Sequence, residues 1–220
     1  MSPIRTALFI ALALSVGNAF AAEDISKVNG GINTESGQAY GDLETVNGSI
    51  HIASGATTDG AGTVNGGISV GEKAVTGKLE TVNGGIKLER DVTVNGGIET
   101  VNGSIFVDRG GKLKDGVETV NGSIGLVATQ LGGGIETVRG DVTEGVDSHV
   151  AGGLRVQKSH GVFNIEPKRD PRIVIGPNAV VEGPLVFERP VKLYVHKTAR
   201  IGAVTGATAQ SFDTPTAPAE

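Results

Sequence analysis

The 220-residue chain contains no cysteine and no tryptophan, and only six phenylalanines and two tyrosines. Without cysteine there is no disulfide framework and no thiol for a bacterial lipoprotein anchor, so stability has to come from burial and backbone hydrogen bonding. Scarcity of large side chains argues against a thick globular core, because a compact body of ~200 residues is hard to fill with Val, Ile, Leu and Ala alone. An elongated architecture is favoured. Long apolar runs are also missing. The one candidate, Ala7 to Val16, falls short of the ~20 residues that span a bilayer. With Arg5 before it and Ala19-Phe20-Ala21 after it, this segment reads as a secretory signal peptide, residues 1–21, cut after Ala21. The remainder carries 18 Lys and Arg against 24 Asp and Glu, a mild acidity with no strong implication for partners.

What the chain has in quantity is glycine, 35 residues, about twice the average share, and repetition. The word ETVNGSI stands at residues 44–50, 99–105 and 118–124. Its valine recurs as Val28, Val46, Val64, Val82, Val101, Val120 and Val138, always 18 or 19 residues apart. A second apolar series runs three residues earlier through Ile25, Leu43, Ala61, Leu79, Ile98, Val117 and Ile135. It continues to Leu154, Ile173 and Val191, where the Asn-Gly word has gone. Ten register points mark a repeat architecture. Inside each period lie three short apolar runs, such as Leu79/Val82, Ile86/Leu88 and Val92/Val94, separated by glycine-rich corners. That pattern predicts short strands and no long helix.

An antiparallel meander and a β-solenoid both accommodate such a period. Asn-Gly is a strong hairpin signal, yet a hairpin would put Val82 beside Glu80 on one face, a poor position for an apolar residue. A further Asn-Gly at Asn95, only twelve residues after Asn83, suits a second corner of one coil. The register also outlives the turn word. The predicted fold is therefore all-β: a single-stranded parallel β-helix of about ten coils, 18–19 residues and three strands each, over residues 22–206. Valine, isoleucine and leucine point inward, and residues 207–220 form a loose tail rich in Thr, Ala and Pro. At ~4.8 Å per coil the rod is about 45 to 50 Å long. Asn and Gly tolerate left-handed backbone angles, which suits tight corners, and stacking would align Asn29, Asn47, Asn65, Asn83, Asn102 and Asn121 as a side-chain amide ladder.

Words such as Gly41-Asp42-Leu43-Glu44-Thr45-Val46-Asn47-Gly48-Ser49-Ile50 resemble those of a family of exported bacterial β-strand-repeat proteins grouped as adhesins, over about residues 25–142. One coil, Ile175-Gly176-Pro177-Asn178-Ala179-Val180-Val181-Glu182-Gly183, is similar to coils of bactofilins, which are polymer-forming β-helices. The resemblance implies a right-handed β-helix and brings no catalytic residues with it.

No constellation points to an enzyme. Asp147-Ser148-His149 has triad residue types, but neighbours in sequence do not converge as a triad does. His51, His149, His160 and His196 lack zinc-ligand spacing. In Asp108–Asp115 the bases Arg109, Lys112 and Lys114 cancel the charge a calcium loop needs. The glycines of GGGIETV, 132–138, precede no helix that would cradle phosphate. The sequons at Asn47, Asn102 and Asn121 read as corners first. The expectation is no catalytic site, no metal and no cofactor, with a carbohydrate-active enzyme the least favoured reading.

Charge is more informative. Glu44, Glu80, Glu99, Glu118 and Glu136 recur at one place in their coils, predicting an exposed acidic stripe, a candidate for cations or basic partners. Residues 23–150 carry a net charge of −9 and residues 151–206 a net charge of +5. In sequence order this makes one end acidic and the other basic, the latter at Arg155, Lys158, Lys192 and Arg200. Export, acidity and few aromatics argue against nucleic acid. The expected protein is an exported, non-catalytic adhesion, interaction or structural module of the cell envelope, periplasmic or, alternatively, extracellular or at the cell surface. A surface glycan or an envelope component is the expected partner. The alternative is a self-assembling scaffold.

Overall fold

The computed structural model of the protein describes residues 22–158 and 169–218. It is a β-solenoid in which successive coils pair strictly in parallel. One coil shows the plan. Lys78–Asn83 lies on the first face, Ile86–Leu88 on the second and Thr93–Val94 on the third. The equivalent strands of the next coil, Ile98–Asn102, Ile105–Val107 and Lys112–Leu113, stack on them residue for residue. The second face holds ten strands, from Ile32–Asn33 to Ala209–Phe212, so the rod has about ten turns. Among the described residues there is no helix. The extra Asn95-Gly96 is indeed a corner, between the third and first faces.

The interior is one continuous column of aliphatic side chains, such as Leu43, Leu79, Ile98, Val117, Ile135 and Leu154 from the first face and Ile50, Ile86, Ile105 and Ile124 from the second, each at most 1% exposed. Identical residues stack because strand alternation returns the same position to the inside in every coil. Burying such a side chain stabilises by ~1.5–3 kcal/mol. Stability is therefore shared between neighbouring coils.

The valines of the repeated word do not join this core. Leu79 and Thr81 point in while Glu80 and Val82 point out, and the same alternation holds in each copy: Thr45, Thr63, Thr100 and Thr119 are buried and Val46, Val64, Val101 and Val120 lie half-buried on the outside. Val82 does share a face with Glu80, so that placement is no objection to a hairpin; parallel pairing decides the matter. Threonine is inside because it has a specific job. Its Oγ1 donates to a corner carbonyl of the preceding coil, Thr45 to Gly30, Thr63 to Gly48, Thr81 to Gly66, Thr100 to Gly84 and Thr119 to Gly103, at 2.8–3.1 Å. Such bonds satisfy acceptors that would otherwise be stranded beneath the next coil.

Corner chemistry also differs from expectation. No ladder asparagine has a positive φ. The glycine after it is required by closeness instead: a Cβ on Gly84 would lie 1.9 Å from the Gly66 carbonyl oxygen. Left-handed residues occupy the corner between the second and third faces, where Lys73, Asp91, Ala128, Asp147 and Asn178 have φ between 44° and 60° and stack in one column.

Toward the C-terminus the expected register slips. Leu154 pairs with Leu185, which pairs with Val204, so these three continue the first face. Ile173 is fully buried, but on the second face, between Val142 and Leu193. Val191 sits half-buried at the corner before Lys192–His196. The coil from Leu154 to Leu185 thus spans 31 residues, the additional ones falling between Val156 and Arg172 at the first–second corner. Asp141 anchors the start of the strand that follows: it accepts from Arg169 Nη1 and Nη2 at 2.9 and 2.6 Å and from the Arg172 amide at 2.9 Å. The solenoid also extends past residue 206. Ala209–Phe212 pairs with the second face, and the segment after it folds back along the outside, Ala217 against a cluster of Val174, Tyr194 and Phe212 and the Pro218 carbonyl on Arg172 at 2.8 Å. The signal-peptide segment, residues 1–21, lies outside the described residues.

Candidate interaction surface

The Asn ladder is present and runs one way. Asn47 Nδ2 donates to Asn29 Oδ1, and the same bond links Asn65 to Asn47, Asn83 to Asn65, Asn102 to Asn83 and Asn121 to Asn102, at 2.9–3.1 Å. At the next coil Arg139 takes the position and the ladder stops. These amides serve the stack, including the three within sequons.

Beside the ladder, the outer surface of the first face carries two parallel columns. One is valine, from Val28 to Val120, ending at a buried Val138. The other reads Ser26, Glu44, Gly62, Glu80, Glu99, Glu118, Glu136, Arg155 along successive paired positions. The five predicted glutamates therefore do form one stripe, interrupted by Gly62 and ended by Arg155. Glu80, Glu99, Glu118 and Glu136, together with Val82, Val101 and Val120, line a shallow groove along the rod axis. Like charges directly opposite one another oppose the fold. Burial, followed by the carboxylates of Glu136 and Glu99, raises the pKa of Glu118. At the N-terminal end, burial and then Asp42 and Asp24 raise Glu44, while burial and then Asp24 and Asp59 raise Asp42.

Both margins of the stripe are partly neutralised by the chain itself. Lys78 reaches from the corner to bridge Glu80 and Glu99, the latter at 2.8 Å. Burial pulls the Lys78 ammonium down, and these two bonds more than restore it, leaving its pKa raised. Gln157 Nε2 donates to Glu136 at 2.8 Å.

The four bases expected at the basic end all lie on the last coils, at different places around them. Arg155 is on the first face and paired with Glu188 at 3.0 Å; Lys158 follows it at the corner; Lys192 begins the second face and Arg200 the third. They ring the last coils and make no single patch. Asp147, Ser148 and His149 also diverge: Asp147 is the left-handed corner residue, Ser148 is buried, and His149 points out to Glu182 at 2.8 Å. His160 lies outside the described residues. Among the described residues no three His, Asp or Glu side chains are grouped to hold a metal ion.

Sequence reasoning missed Glu144. Its pattern position between Val142 and the corner is an inward one, equivalent to Leu126 and Ile175, and its carboxyl is fully buried with neither oxygen hydrogen-bonded. Burial pushes its pKa up to about 8. Strand alternation alone would have revealed it.

No family model, characterised protein or solved structure matches the chain.

Proposed function

We propose that the protein is an exported, non-catalytic interaction module of the bacterial cell envelope, acting in adhesion or as a structural element, and that it binds through the outer surface of its first face. The observation that carries this reading is the pair of uninterrupted valine and glutamate columns across the coils of Glu80, Glu99, Glu118 and Glu136. Half-buried valines next to like-charged carboxylates contribute little to the fold and something against it, which is the signature of a surface kept for a partner. The leader-like residues 1–21 and the resemblance to exported β-strand-repeat adhesins support the location. A stiff rod with a flat, axially repeating face suits an extended or repetitive partner such as a surface glycan or a basic envelope component.

The test is co-sedimentation with isolated cell envelopes. Wild-type protein is expected to pellet with them, and a Glu99→Gln/Glu118→Gln variant with unchanged circular dichroism to stay in the supernatant. Equal pelleting of the two, or none by the wild type, refutes the reading.

A further inference from the structure

Among the described residues, nothing covers either end of the rod. At the start, Glu23–Asn29 is an edge strand with every residue but Ile25 exposed. At the other end the last coil leaves Val195, Ile201, Val204 and Ala207 only partly buried, although they belong to the core column. Natural sheets guard such edges with charges, proline, bulges or a covering segment. From Ile201 to Phe212 this chain has no charged residue and no proline. Nor does the tail cover the edge. After Phe212 it turns back over the outside of the second face, held by Ala217 on the apolar cluster and by Arg172 on the Pro218 carbonyl, and by Lys197 on Asp213 at 2.6 Å.

The two ends also match. Residues 22–44 hold five acidic side chains and one basic, whereas residues 189–212 hold four basic and no acidic. Extending the observed register by one coil places Val204 over Ile25 of another molecule, Thr205 over Ser26, Ala209 over Ile32 and Gln210 over Asn33. Apolar meets apolar and amide meets amide, while two C-terminal ends brought together would oppose their Arg200 side chains. We propose that the last coil of one molecule stacks in register on the first coil of the next, so that the protein assembles head to tail into longer rods, a heterologous contact that does not close. One coil presents 18–19 residues, just under the ~20–30 a side of a standard interface. Assembly is therefore weak and dependent on concentration. It rests on the export reading in one respect, because removal of residues 1–21 starts the chain next to the edge strand itself.

The absence of cysteine makes the test clean. Ser26→Cys and Thr205→Cys variants, one of them tagged, are purified as recovered from the producing cells and mixed under mild oxidation; an in-register stack puts the two cysteine Cα atoms ~4.8 Å apart along the column, within disulfide reach. Mixed dimers are expected at least tenfold in excess of either self-dimer. Adding Val204→Lys to the Thr205→Cys protein is expected to abolish them. Dominant self-dimers of either variant overturn the polarity, and no cross-linking with a monomeric sedimentation profile at all concentrations overturns stacking. The N-terminal mass of the recovered protein reads export separately. If processing at Ala22 is seen without cross-links, only the stacking falls; if residues 1–21 are retained and mixed dimers still form, stacking stands and the export reading falls.

Discussion

Glu144 makes the stability of this rod depend on pH in a direction opposite to that of most carboxylates. Its side chain is stacked between Leu126 and Ile175 with no hydrogen-bond partner, and its pKa stands at about 8 against 4.5 for an ordinary glutamate. Of the ionisable groups nearest in the chain, Asp141 is held by Arg169 and the Arg172 amide at the preceding corner, and Asp147 and His149 point outward at the following corner and strand. A raised carboxyl pKa means that the folded state holds the proton more tightly than the unfolded state. The stability is thus fully present below pH 4.5, falls as pH rises through the folded value of about 8, and levels off above it. At ~1.36 kcal/mol per pH unit, the loss is about 3 kcal/mol at pH 7 and about 5 kcal/mol above pH 8. Replacing Glu144 by Leu, the residue one coil earlier, should recover most of this. Urea unfolding of the wild type and Glu144→Leu from pH 4 to 9 checks it: the wild-type midpoint should fall across pH 5–8 while the variant's stays level. Parallel curves for the two proteins would refute the reasoning. Hydrogen exchange at Leu126 and Ile175 localises the effect, which matters because repeat arrays need not unfold in one step.

Two further outcomes follow from the stacked words. Gly84→Ala drives a Cβ into the Gly66 carbonyl, backbone against backbone, and should destabilise by about 3 kcal/mol, read as a lowered urea midpoint; an unchanged midpoint would mean that the corners are not in contact. Glu118→Gln removes repulsion from Glu136 and Glu99 and should raise stability at pH 7 and low salt by up to ~1 kcal/mol. Its advantage should vanish at pH 3, where the carboxylates are neutral, and in molar salt.

How much of this was legible beforehand can be judged residue by residue. The 18–19 residue spacing of Leu79, Ile98 and Val117 was enough for coil number and stacking, and the Asn ladder followed from spacing alone, since parallel in-register pairing repeats every side chain. The roles of Thr81 and Val82 were not legible from hydropathy, which favours valine inside. The Gly66 carbonyl needs a donor, and threonine supplies one in a side chain of valine's shape. Ile173 misled for another reason: its distance from Leu154 equals one period by coincidence, but the long stretch between Val156 and Arg172 belongs to a corner, so Ile173 falls on the next face. The charge gradient was read correctly as a sum, but a gradient is no patch, and three faces divide Arg155, Lys192 and Arg200 among themselves. The strand at Ala209–Phe212 was hidden by small residues that look like linker composition.

The 31-residue coil shows where this protein can carry cargo. Up to Asn121, each first–second corner lies hard against the one before it, amide to amide and glycine to carbonyl, so nothing can be spliced in without prising the column apart. One coil beyond Arg139, 15 residues separate Val156 from Arg172 at that same corner, and the strands on either side are still in pairing, the second entered on the Asp141 clasp. A foreign loop or tag grafted there would ride on a mast whose lower seven storeys take no notice of it.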